Sequence, residues 1–307
     1  MSGHGHSHAG HAHGVTADAD AGRLTVALGL IVGFMLVEVV AGVLVHSLAL
    51  LSDAAHMLTD AAAIGLSLVA LRLAARPAQG AMTFGFKRAE ILSAQINGAT
   101  LLVLAGVIVV EGVRRLLDPP DVQGTVVVVV AVAGIAVNLA ATRTLSGANR
   151  ESMNVEGAFQ HLLTDLIAFA LTAVAGAVIL LTGFREADGI ASLVIAAVML
   201  RAAYGLLRDS GRVFLEAAPR GLDPDTIGHA LARRPGVVEV HDLHVWEVGS
   251  GFASFSAHVT VGRDSDCHAI RRGLEDELRE RFGIEHTTLQ VDHEGGELLH
   301  ITAPGAS

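Results

Sequence analysis

Two segments of the chain repeat one spacing of histidine and aspartate: His56-Met57-Leu58-Thr59-Asp60 and His161-Leu162-Leu163-Thr164-Asp165. Both lie well inside apolar runs. On a helix, residues at i and i+4 sit one turn apart on the same face, so each segment offers an imidazole nitrogen and a carboxylate in one direction. Two such helices facing each other supply two nitrogens and two oxygens, a donor set suited to tetrahedral Zn²⁺. The competing reading is a satisfied polar contact between helices. Cost separates the two: an aspartate at the centre of a membrane helix is penalised by about 2.5–3.5 kcal/mol on insertion scales. Here that penalty is taken twice, at identical spacing. Asp53 lies seven residues before Asp60 and shares its face two turns away. Two readings of it stay open, a metal ligand on the access path or a loop-end residue.

The elements that must hold these residues follow from composition. Of 307 residues, 51% are hydrophobic and only 17% charged, where a soluble domain carries about 25% charged residues. Six apolar stretches reach spanning length: residues 24–45, 48–75, 89–113, 124–146, 155–182 and 187–207. Residues 91–110 and 122–142 contain no charge at all, as a hydrocarbon core of roughly 30 Å requires. These features exclude a single water-soluble globule. The sole cysteine, Cys267, allows no intrachain disulfide, and a net charge of −10 argues against a nucleic-acid partner. With the N-terminus inside, most Arg and Lys residues fall on the cytoplasmic edges, so the positive-inside rule places both termini in the cytoplasm.

From Arg220 the pattern becomes that of a soluble domain. Residues 223–234 read as a short helix, 237–248 and 252–261 as strands flanking the turn Gly249-Ser250-Gly251, 264–282 as an amphipathic helix and 286–293 as a third strand. The expected fold is therefore a six-helix transmembrane bundle followed by a small α+β domain of order αββαβ. The expected division is a His-rich tail at 1–22, the bundle at 23–210 and the cytoplasmic domain at 211–307.

Several longer stretches, taken together, resemble the cation diffusion facilitator family. They are the run from His46 through Asp60, Gly85-Phe86-Lys87-Arg88-Ala89-Glu90-Ile91, Asn154-Val155-Glu156-Gly157-Ala158-Phe159-Gln160-His161, Val240-His241-Asp242-Leu243-His244-Val245-Trp246, and His286-Thr287-Thr288-Leu289-Gln290. The resemblance covers residues 24–292. It implies a homodimeric metal/proton antiporter in the inner membrane with a metallochaperone-like cytoplasmic domain. Its transport site falls on His56, Asp60, His161 and Asp165, and the histidine at the first position implies preference for Zn²⁺. A broader zinc, cadmium and cobalt exporter is the alternative.

The resemblance also implies a Zn²⁺ site in the cytoplasmic domain at His241, His258, His286 and Asp292, with His244, His268, His293, His300 and Cys267 nearby in sequence. The alternative reading from residue type is a set of solvated strand-end histidines. The family's charge interlock falls on Arg88, or its neighbour Lys87, and Glu216; ordinary anchoring at the membrane edge is the other reading. The tract His4, His6, His8, His11 and His13 is either a metal-capturing segment or a dispensable tail. Glu38, deep in the first span, is either a proton-path residue or a buried polar contact. Two further classes compete with transport. An intramembrane metalloprotease would need His-Glu-x-x-His, which the chain lacks. A membrane-anchored metal sensor would leave both intramembrane His/Asp pairs without a task.

Overall fold

The computed structural model describes residues 11–44, 48–119, 124–150 and 152–295. It divides into two compact units, Met1–Gly211 and Arg212–Ser307. Among the described residues the first is built on six helices, α1 (His11–Leu44), α2 (Leu48–Ala74), α3 (Arg88–Leu117), α4 (Gly124–Leu145), α5 (Met153–Thr182) and α6 (Glu186–Phe214), whose last residues belong to the second unit. All six are long and apolar enough to cross a membrane. Val37, Val43, Val103, Val129 and Leu181 are each more than half exposed, as a lipid-facing surface requires. The protein is a multi-pass membrane protein.

Apolar packing in the bundle falls into two clusters. Leu24 and Ile31 of α1, Met57 and Ile64 of α2, Ala141 and Leu145 of α4, and Val155 and Leu162 of α5 form the larger one. Leu101 and Ala105 of α3 meet Ile195, Met199, Ala203 and Leu206 of α6 in the smaller. Small residues let α3 and α6 approach closely: a Cβ at Gly98 would meet Leu206 and Leu207 at 3.1 Å, and one at Gly112 would meet Leu193 at 3.1 Å. The far end of this pair is tied by Arg115 to Asp188 at 2.6 Å. α5 opens behind Ser152, whose Oγ accepts the Val155 N–H, and closes at Gly183 in the left-handed conformation (φ 72°).

Three boundaries depart from the sequence expectation. α1 begins at His11, so residues 11–22 are helix rather than tail. A tertiary anchor holds the end of this segment: the buried Asp20 accepts the Asn149 N–H at 3.0 Å, with Arg23 at 3.5 Å. α6 runs on to Phe214, because Arg208, Asp209 and Arg212 end an apolar run without breaking a helix. Ser210, fully buried, donates to the Leu206 carbonyl at 2.6 Å, and its Oγ also contacts the Gln95 side-chain amide of α3. α3 likewise continues to Leu117, where Arg115 pairs with Glu111 one turn back at 3.1 Å.

The second unit has the expected order αββαβ. α7 (Pro224–Ala232) starts with proline in its first turn behind Asp223; β1 (Val237–Gly249) and β2 (Phe252–Val261) form an antiparallel hairpin. α8 (Cys267–Phe282) then crosses over to β3 (His286–His293), which pairs parallel to β2 in a sheet of order β1-β2-β3. Asp223 and Asp266 cap the two helices. Both carboxyls lie below the ordinary aspartate range, Asp223 chiefly through the Thr226 hydroxyl and Asp266 through the Ala269 amide. Their contribution is thus present at neutral pH and fades as pH falls through the lowered values.

Ile227 and Leu231 of α7 and Leu274 and Leu278 of α8 cover one sheet face, against Val245, Phe255, Ala257, Val259 and Val261. Phe255 is 1% exposed at the centre of this layer. Phe255→Ala is expected to cost about 3–5 kcal/mol through the cavity it leaves. Limited proteolysis of the full chain should then degrade the C-terminal unit while sparing the helical one; an undiminished protease-resistant C-terminal fragment would contradict this packing.

Candidate functional site

The facing pair of helices takes shape between α2 and α5. Asp60 and His161 are both buried, and His161 Nε2 lies 2.7 Å from Asp60 Oδ1 across the interface. Asp165, one turn further along α5 and also buried, brings Oδ2 within 3.8 Å of the same nitrogen. One donor atom from each of Asp60, His161 and Asp165 lies within 4.8 Å of the others. Among the described residues, these three form the one group so arranged. His56 belongs to α2, one turn before Asp60; its side chain lies outside the described residues, as does that of Asp53.

The electrostatics of this cluster are tight. An imidazole nitrogen and a carboxylate oxygen at 2.7 Å must have a hydrogen between them, so with Asp60 ionised Nε2–H is the donor. His161 Nδ1 is buried with no hydrogen-bond partner among the described residues. The ring is thus held from one side by carboxylates only. Two carboxylates and an imidazole in a dry setting form a donor set for a small divalent cation, and the proton on Nε2 stands where such an ion would bind.

The second cluster lies on the sheet face of the C-terminal unit away from α7 and α8. His241 and His258 are direct cross-strand partners, with ring centroids 5.5 Å apart. His286 pairs instead with Ser254, four residues along β2 from His258, about 13 Å at strand rise. Asp292 pairs with Thr260 and accepts a hydrogen bond from Gln290 at 2.8 Å. Within this chain, His241 and His258 are therefore brought together, Asp292 is a diagonal neighbour of His258 two residues along β2, and His286 stands further along the sheet.

A different residue joins the histidine pair. Asp242 adopts a positive φ of 50° where the β1–β2 register shifts, and its carboxylate lies 3.0 Å from His244 Nε2 and 3.8 Å from His258 Nε2. Sequence reasoning missed Asp242 because strict strand alternation puts it on the opposite face from its neighbours. The irregularity at this step reorients it. Of the remaining residues, His268 is exposed on the first turn of α8, His293 Nε2 lies 3.0 Å from the Ser265 carbonyl, and His300 lies outside the described residues.

Elsewhere, Glu38 is buried in α1. Arg88 opens α3 and Glu216 follows α6 with a positive φ of 55°; the two belong to different units. His4, His6 and His8 lie outside the described residues, and His11 and His13 fall in the first turn of α1.

Comparison with known proteins agrees across both units. A family model described as the cation efflux transmembrane domain matches residues 24–215, and one described as the cation efflux protein cytoplasmic domain matches residues 219–294. The chain is 35% identical over 295 residues to a "Cadmium, cobalt and zinc/H(+)-K(+) antiporter" of Bacillus velezensis, covering 94% of this chain and 92% of that one. It is 38% identical over 291 residues to "Zinc transporter ZitB" of Escherichia coli (strain K12), covering 94% and 93%. A solved structure described as the "Metal-bound C-terminal domain of the CzcD transporter from Cuprividus metallidurans" matches 23% of this chain and 99% of its own, at 30% identity and a TM-score of 0.23. Joined by both domain matches and by relatives that align over nearly its whole length, the chain belongs to the cation diffusion facilitator family of divalent-cation efflux transporters.

Proposed function

We propose that this protein exports Zn²⁺ from the cytoplasm in exchange for protons, with His56, Asp60, His161 and Asp165 as the transport site. The contact between Asp60 and His161 at 2.7 Å carries the reading. The two groups require a shared proton when no metal is present, and both must be deprotonated on the facing atoms to bind one. Metal and proton therefore compete for the same pair of atoms. Facing the cytoplasm, the site loses its proton and takes the ion. Facing the more acidic side, the imidazole is reprotonated and the ion leaves. Rocking of helices about a site near the midplane supplies the alternation.

The excess of Arg and Lys on one set of loops supports an inner-membrane placement with both termini cytoplasmic. Zinc appears in the names of both relatives described above, and cadmium and cobalt in one. Zinc alone is the favoured cargo, and a zinc, cadmium and cobalt range is the second reading. We read the active form as a homodimer, on the match of the cytoplasmic-domain family.

In the C-terminal unit, His241, His258, His286 and Asp292 remain the proposed Zn²⁺ donors, and Asp242 and His244 stand beside His241 and His258 as further imidazole and carboxylate donors. Such an ion would bind imidazole and carboxylate without any role in moving the cargo. Arg88 and Glu216 stay candidates for the charge interlock.

The test is Zn²⁺ flux in proteoliposomes under an imposed pH gradient. Flux driven by the gradient and collapsed by a protonophore is expected. Zinc binding with no flux under any gradient would replace transport by sensing as the function.

A further inference from the structure

Between the metal-binding triad and the end of the bundle where α3 and α5 begin, the helices are joined by neutral polar groups. Ser67 lies seven residues after Asp60 on α2, and Asn154 seven residues before His161 on α5. The two displacements run in opposite chain directions, as antiparallel helices require, and place this layer about 10 Å from the triad. Asn154 Nδ2 donates to the Ser67 backbone carbonyl at 2.5 Å, and Asn97 Nδ2 of α3 donates to Ser67 Oγ at 3.2 Å. Two residues before Asn154, at the N-cap of α5 and outside this neutral layer, Ser152 Oγ donates to the Glu90 carboxylate at 2.8 Å. All three bonds join different helices. Ser67, Asn97 and Asn154 are at most 1% exposed.

The layer has spare capacity as well. Asn154 Oδ1 and Ser93 Oγ are buried here with no hydrogen-bond partner among the described residues. A purely structural seam in an apolar bundle would satisfy such groups or replace them with methyl groups. Unused acceptors at the crossing of α2, α3 and α5 instead suit groups that exchange interhelical bonds for bonds to water when the helices part. Carboxylates at this level would trap a divalent cation, whereas amides and a hydroxyl hydrate it and let it pass.

We propose that Ser67, Asn97 and Asn154 form a hydrogen-bonded gate that sets how fast metal passes between the triad and the α3/α5 N-terminal end of the bundle. The proposal rests on the triad's being the transport site. These groups lie about 10 Å from a metal bound at the triad and do not ligate it there, so the closed latch is the same with and without bound metal. Opening the latch therefore lowers a barrier and leaves the affinity alone. The two bonds at Ser67 are separable: Ser67→Ala and Asn97→Ala remove the same hydrogen bond, whereas Asn154 reaches a backbone carbonyl that Ser67→Ala leaves in place.

The experiment is stopped-flow Zn²⁺ association and chelator-driven dissociation on the full chain in lipid nanodiscs, with the triad's share defined as the phase missing from Asp165→Ala. Ser67→Ala, Asn97→Ala and Asn154→Ala are each expected to raise both rates by a common factor, on the order of three- to tenfold, at unchanged Kd. Ser67→Ala/Asn97→Ala should equal either single variant, and adding Asn154→Ala should multiply the effect. Unchanged rates in folded Ser67→Ala and Asn97→Ala would overturn the gate, as would a changed Kd with only one rate altered. If Asn154→Ala fails to fold, the other two variants decide alone. If Asp165→Ala lacks no binding phase, the reading of the triad fails instead.

Discussion

Asp165→Ala is expected to abolish zinc transport while leaving the protein folded in the membrane. The Asp165 carboxylate is buried on α5, 3.8 Å from the His161 nitrogen, in the α2–α5 cluster. Loss of groups that merely support a metal ligand costs about 10- to 100-fold in affinity, so loss of the ligand itself should exceed that range. Folding should not suffer in proportion. The variant removes a carboxylate whose presence in a membrane helix costs about 2.5–3.5 kcal/mol, and puts a good helix former in its place. Proteoliposome flux beside size-exclusion chromatography checks both halves. Transport retained at wild-type rate would remove Asp165 from the site, and an aggregated variant would shift the test to His161→Ala.

Below the pH at which the His161 ring gives up its second proton unaided, zinc binding at the triad is expected to release at least one proton per ion. Asp60 and His161 share a hydrogen at 2.7 Å, and zinc needs the lone pair that this hydrogen occupies. Release of one proton makes apparent affinity weaken about tenfold for each unit of falling pH, below the value at which the ring loses its proton unaided. A dye in weak buffer should record acidification when Zn²⁺ is added to the purified protein. The difference between wild type and Asp165→Ala isolates the triad from the other histidines of the chain. Affinity that is flat across the pH range around imidazole titration, with no acidification, would show that the shared proton is not what the metal displaces.

The spans were legible because membrane residence demands long apolar runs, and charges marked where those runs stop. The ends of helices were less so. Arg114, Arg115 and Arg208 close a hydrophobic stretch, yet each remains helical because its backbone bonds are made within the helix. The placing of His161 and Asp165 on one face of α5 was legible because i, i+4 spacing is a local property that survives into the fold, whereas their meeting with Asp60 is tertiary. The cytoplasmic cluster was not. The strand limits of β2 and β3 follow from turn residues, but their parallel register is a long-range pairing across the α8 crossover, and that register separates His286 from His258. Asp242 depends on a register irregularity that no pattern of side chains announces. Ser67, Asn97 and Asn154 are the hardest case, since single neutral polar residues are common in membrane helices and only their meeting makes them notable.

The anchor at Asp20 bears on how the chain is made. Its carboxylate accepts the amide of Asn149, a residue 129 positions later. At ribosomal rates of about 5–20 residues per second, that partner emerges roughly ten seconds after Asp20 does. Throughout that interval the start of α1 has no tertiary partner at this position, and Asp20 must stay hydrated at the membrane surface. The first helix to be inserted is thus among the last to have its inner end seated, and the α4–α5 connection completes it. Substitutions around Asn149 would be felt first in the yield of assembled protein, before any effect on the rate of zinc movement.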